Sequence, residues 1–122
     1  LIKNLKRSNN MTLGENQEKF MQDVEKLLSF LHQNGYSVRG GELERTQAQQ
    51  EIYYNTGKSK TMNSNHLKRC AIDLHIFKAG KWLQTKQELQ EIGNYWESLN
   101  SLNRWGGNFI SFLDTPHFER NC

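Results

Sequence analysis

At 122 residues and 14.3 kDa, the chain has the size of one domain, and its surface must be very polar, because only 35% of residues are hydrophobic and mean hydropathy is -0.85. No apolar run approaches the ~20 residues needed to cross a bilayer. The net charge of +3 suits an anionic polymer or plain solubility, while lysines and arginines dispersed among other residues argue against nucleic-acid binding.

The chain opens on a basic, Asn-rich stretch with no signal-peptide pattern, read as a disordered basic tail over residues 1–10. Met11 is the expected native start, and residues 11–122 the single folded domain. Thr12-Leu13-Gly14-Glu15 has the form of a capping box. Phe20, Val24, Leu27, Leu28 and Leu31 follow at helical spacing and Asn34-Gly35 ends the run, which predicts an amphipathic helix over 13–33. His32, in its last turn, would interact favourably with the helix dipole. A short strand over 36–41 and a second helix over 46–55 come next, and then a polar loop over 58–65.

Residues 70–77 alternate as a strand does: Ile72, Leu74 and Ile76 share one face, Asp73 and His75 the other. A turn at 78–81 leads into a returning strand at Trp82-Leu83. Thr85 and Glu88 form a second capping box before a third helix whose stripe is Leu89, Ile92, Trp96 and Leu99. Residues 100–108 read as a loop carrying Trp105-Gly106-Gly107, and 117–119 as a final strand. Helices and short hairpins that do not strictly alternate argue for α+β with a small antiparallel sheet and about three helices. Cys70 and Cys122 form no CxxC metal pair and are expected as two free thiols, one disulfide between them being the alternative.

Two stretches carry chemistry: Ser64-Asn65-His66-Leu67-Lys68-Arg69-Cys70-Ala71-Ile72-Asp73 and Asp114-Thr115-Pro116-His117-Phe118-Glu119. They offer two imidazoles and a carboxylate as metal ligands, with a carboxylate to spare. Three protein ligands on zinc leave a fourth position for water, whose pKa falls toward ~7, and a free carboxylate can take its proton. Taken alone, His66 reads as a surface histidine. Asp73 changes that reading, since a carboxylate inside an apolar strand is costly unless it is paired, with Arg45 or Arg69 for instance, or metal-bound. His75 is a rival ligand on the same strand face, but a two-residue strand step of ~6.6 Å separates it from Asp73.

Ser-x-His-x(6)-Asp, Trp105-Gly106-Gly107-Asn108-Phe109 and Ser111-Phe112-Leu113-Asp114-Thr115-Pro116-His117-Phe118-Glu119 together resemble the signature of one peptidase family. It comprises the zinc D-Ala-D-Ala carboxypeptidases and L-alanyl-D-glutamate endopeptidases that cut peptidoglycan stem peptides. The endolysin branch, with its bacteriophage lysins, is the most similar. Glu44-Arg45-Thr46 and Gln50 match an upstream block, so the resemblance spans about residues 11–120.

The resemblance implies a hedgehog/DD-peptidase-like fold, one Zn2+ held by His66, Asp73 and His117, and Asp114 as catalytic base. Glu119, on the strand face of His117, stays in contention for that last role. Arg45 would stabilise the developing oxyanion or hold a substrate carboxylate, against the alternative of a salt bridge with Glu42 or Glu44. Ser64, Gln50 and Trp105 would bind substrate or support the site, core packing being the alternative for Trp105. The partner implied is a peptidoglycan stem peptide, met by a monomer made in the bacterial cytoplasm and acting in the periplasm or cell wall, without nucleic acid or membrane insertion. L-Ala–D-Glu cleavage is favoured; D-Ala-D-Ala carboxypeptidase activity and a zinc-stabilised, non-catalytic binding module are the alternatives. Three departures stand out: Arg69 where the family commonly has glycine, and Asn108 and Phe109 where endolysins commonly have Asp and Trp.

Overall fold

The computed structural model describes residues 10–122; the expected tail over 1–10 lies outside the described residues apart from Asn10. The first helix, α1 (Leu13–Gln33), starts as its sequence dictates: Thr12 accepts from the Glu15 N–H, and Glu15 accepts from the Thr12 N–H. Its buried face is Phe20, Val24, Leu27 and Leu31. After β1 (Ser37–Gly40) comes α2 (Gln47–Asn55), capped by the Thr46 hydroxyl. A single 3-10 turn over Asn65–Lys68 then delivers the chain to β2 (Ala71–Lys78). Strand β3 (Lys81–Leu83) returns beside it, and α3 (Lys86–Leu99) follows under the Thr85/Glu88 capping box.

The sheet is antiparallel throughout, in the order β1-β2-β5-β4, with β3 also pairing β2; β4 is Asn103–Trp105 and β5 His117–Arg120. Helices α1 and α3 cover one face. Phe20 meets Trp96 edge-on at 5.7 Å, and Trp96 meets Phe118 in the same way at 6.0 Å. Leu74 and Ile76 of β2 complete the apolar core from the sheet side, so the opposite face of β2, with Asp73 and His75, is left for other work. β2 is the frame of the molecule. Its C-terminal half lies between β1 and β3, and its N-terminal half pairs with β5 in a register that sets Asp73 opposite His117.

Two expectations give way. The stretch 100–108 is not a plain loop: residues 103–105 form β4, and Gly106–Asn108 a short 3-10 turn. Alternation is hard to read in so short a strand that ends on two glycines. Cys70 and Cys122 are also not free; they form a disulfide, with Cα atoms 6.8 Å apart. The reason is topological. Arg120 N–H donates to the Cys70 carbonyl, so pairing along β5 carries the C-terminal residues back to the start of β2.

Arg69, where the family commonly has glycine, ends the 3-10 turn in the left-handed region, at φ 55° and ψ 36°. A glycine takes that conformation without steric cost, and an arginine does not. The departure therefore bears on the turn itself.

Candidate active site

His66 is held by the 3-10 turn, whose first N–H groups are capped by Ser64: its hydroxyl accepts from the His66 N–H at 3.2 Å. The imidazole is 1% exposed. Its Nδ1 lies 3.0 Å from the Leu43 carbonyl, which can only accept, so Nδ1 carries the proton and Nε2 presents a lone pair. Nε2 stands 3.2 Å from Asp73 Oδ1.

His117 is arranged in the reverse sense. Its Nε2 donates to Glu119 Oε1 at 2.7 Å, and Nδ1 points to Asp73 Oδ1 at 3.6 Å and Asp114 Oδ2 at 3.8 Å. Glu119 is itself held by Arg104 across the β4–β5 pair. It therefore orients the ring from the far side and does not face Asp73, as a base acting at the cluster would.

One ligand atom from each of His66, Asp73 and His117 lies within 4.8 Å of the others. Two nitrogens and a carboxylate oxygen are a zinc-type donor set, and tetrahedral ligands at 2.0–2.2 Å from an ion stand ~3.4 Å apart. The two measured separations from Asp73, 3.2 and 3.6 Å, bracket that value. The residues present fit a single ion with a position to spare.

The electrostatics follow from the geometry. Burial works to raise the Asp73 pKa, but the His117 and His66 rings beside it outweigh that and hold the carboxyl well below its ordinary range. Burial would lower His117, yet its bonds to Asp73 and Glu119 push it up to about 9. Glu119 is lowered, burial being overcome by the bond to His117. Asp114 goes the other way: burial raises its pKa, with the Asp73 charge adding to the shift against the lowering pull of His117.

Asp114 is placed by backbone. Its N–H donates to the Gly106 carbonyl at 3.0 Å, and a Cβ at Gly106 would fall 2.0 Å from the Asp114 carbonyl oxygen. Only glycine allows that approach. Trp105 is in the core, 0% exposed, its indole lying against Gly93 and Gly107 and donating to the Thr115 carbonyl. This corrects the reading of Trp105 as a substrate-binding residue: a fully enclosed ring supports the turn from beneath. Glu97 ties the same turn from α3, accepting from the Trp105 N–H and the Asn108 amide. The sequence marks this packing through Gly93, since a mid-helix glycine costs about 1 kcal/mol and implies a close neighbour.

On the opposite wall Arg45 pairs with Glu42, donates to Gln50 at 2.9 Å and to Ser64 at 3.4 Å, and lies over the Tyr53 ring. Gln50 is 0% exposed, so of its two expected roles it keeps support and not substrate contact. His75 takes no part in the cluster, its ring stacking on Trp82 at 5.4 Å. The cluster and Arg45 border one cleft of about 610 Å³, closed on a third side by Phe109, Phe112 and Leu113.

Residues 57–120 match the profile of the D-alanyl-D-alanine carboxypeptidases. The chain is 36% identical over 98 residues to an L-alanyl-D-glutamate peptidase of Listeria phage A118, an alignment covering 79% of this chain and 34% of that protein. The chain belongs to the D-alanyl-D-alanine carboxypeptidase family. It spans about a third of the length of the phage relative. In structure it is similar to the Serratia marcescens L-Ala D-Glu endopeptidase ChiX, with a TM-score of 0.69 over 88% of this chain and 84% of that one, at 22% identity. The family fold of three helices on a small antiparallel sheet is the one described above.

Proposed function

We propose that residues 11–122 are a zinc-dependent peptidoglycan peptidase domain, active as a monomer on the L-alanyl–D-glutamyl bond of stem peptides. One observation carries the reading: three metal-type donors converge while a fourth, half-buried carboxylate stands beside them. The family membership and the printed activity of the phage relative support the choice of substrate. The place of action that follows is the bacterial cell wall, with synthesis in the cytoplasm.

His66, Asp73 and His117 would hold the ion, which when bound polarises the scissile carbonyl and lowers the pKa of water. Leu43 and Glu119 fix the two imidazole tautomers so that both lone pairs point inward. Asp114 takes a proton from the attacking water, the hydroxyl oxygen bonds the carbonyl carbon, and the C–N bond breaks as Asp114 returns the proton to the leaving amine. Burial that raises Asp114 suits this exchange, because a carboxyl closer to neutrality both accepts and donates readily. Arg45, fixed by Glu42 and Gln50, supplies positive charge at the cleft wall toward the developing oxyanion or a substrate carboxylate. Ser64 acts indirectly, holding His66 and Arg45.

Asp114→Asn is expected to retain zinc and lose about 10²–10⁴-fold in turnover. Mass spectrometry of digested muropeptides reads the bond: whole stem peptides released for L-Ala–D-Glu cleavage, one D-Ala for the carboxypeptidase alternative. Full turnover in the variant would remove Asp114 from its role. Chelator-resistant activity would remove the metal, and sacculi left intact by the zinc-loaded protein would favour a binding module.

A further inference from the structure

We propose that Lys58 and Lys60 form an anion subsite in the cleft that takes the free α-carboxylate of the D-glutamyl residue on the leaving side of the scissile bond. This rests on the peptidase reading above. The charges lining the cleft divide unevenly. Arg45 is paired with Glu42 and Arg104 with Glu119, so each of these cations already faces a carboxylate. Lys58 and Lys60 line the same cleft, are exposed, and form no ion pair among the described residues. They are the lining cations with charge to spare.

Their loop is also built to hold position. The N–H groups of Lys58 and Ser59 both donate to the Tyr53 carbonyl, at 2.9 and 3.0 Å. Gln50, fully buried, donates from its amide to Ser59 Oγ at 3.0 Å and to the Thr61 carbonyl at 2.5 Å, while its oxygen accepts from Arg45. A single enclosed side chain thus sets the lysine loop and Arg45 in fixed relation. The proposed substrate supplies the complement: a D-glutamyl residue linked onward through its side-chain carboxyl keeps its α-carboxylate free, on the same carbon as the leaving nitrogen.

The test uses two synthetic peptides, L-Ala–γ-D-Glu–L-Lys amide and its D-Glu α-carboxamide counterpart. Calorimetry on the zinc-loaded Asp114→Asn protein reads binding without cleavage, with and without Lys58→Gln plus Lys60→Gln. The acid is expected to bind about three- to tenfold more tightly than the amide, and the preference to vanish in the lysine double variant. In the active protein the same double change raises KM for the acid and leaves kcat unaltered. Equal binding of acid and amide overturns the subsite. So does a preference that survives loss of both lysines, which would assign the carboxylate to Arg45. A lysine-dependent preference in a protein that cleaves neither peptide would overturn the reaction and keep the subsite.

Discussion

The two walls of the cleft are held by different physics. On one side Asp73 and His117 sit opposite each other in paired strands, so backbone register fixes their separation and the apolar core beneath fixes the strands. On the other side Arg45 and the 58–61 loop lie on irregular chain, tied together through the side chain of Gln50. The first wall is carried by backbone pairing. In the second, the Gln50 amide is what joins Arg45 to the loop. Two of the three metal-type donors, Asp73 and His117, are placed on strands and the third, His66, on a capped 3-10 turn, while the groups of the other wall are placed on a loop.

The largest test concerns the disulfide that clamps the strand wall. Cys70 and Cys122 close a loop across 52 positions of sequence, and a link of that span contributes about 4 kcal/mol by restricting the unfolded chain. Reduction, or Cys122→Ser, should lower the melting temperature markedly while zinc binding survives at 25 °C. A melting curve indifferent to reductant would show that strand pairing holds this wall unaided.

A second test reads the ligands themselves. In the metal-free protein His117 titrates at about 9, above its ordinary 6.5, so it is protonated at neutral pH and zinc must displace that proton. Apparent zinc affinity should therefore rise roughly tenfold per pH unit from 6 to 8 and level off above about 9. An affinity flat over that range would mean that His117 gives up no proton when zinc binds.

Gln50→Leu addresses the other wall. It removes hydrogen bonds to a guanidinium, a hydroxyl and a carbonyl at a fully buried position, at a cost of about 2 kcal/mol. KM should rise and zinc affinity should not change. Lost zinc affinity would show the two walls to be mechanically coupled. The smallest expected effect is at their junction: Arg69→Gly relieves a left-handed backbone and should stabilise by about 1 kcal/mol, a few degrees in melting temperature. No gain would mean that the arginine side chain compensates for its own strain.

Local signals carried the helices, because capping boxes and apolar spacing act within a few residues: α1 runs over the residues its spacing predicts, from a Thr12 cap to Gln33. The metal-ligand candidates were legible for a similar reason, as an aspartate in an apolar strand has few cheap explanations. Strand β4 was missed, being three residues long and merging into a glycine turn. Trp105 was misplaced at the cleft because an aromatic before two glycines reads equally as wall or core, and the packing of α3 decided the matter.

Sequence by itself determined what depends on neighbours along the chain: the span of α1 and the capping of α3, the face of β2 that carries Asp73, and the residue types able to bind a metal or move a proton. Tertiary structure alone decided what depends on distant segments meeting. The β2–β5 register brings Asp73 to His117, the return of β5 joins Cys122 to Cys70, and Glu119 becomes a support for His117 because Arg104 and the ring enclose it. Strand register and chain return are set by the packing of the whole core, which no stretch of local sequence encodes.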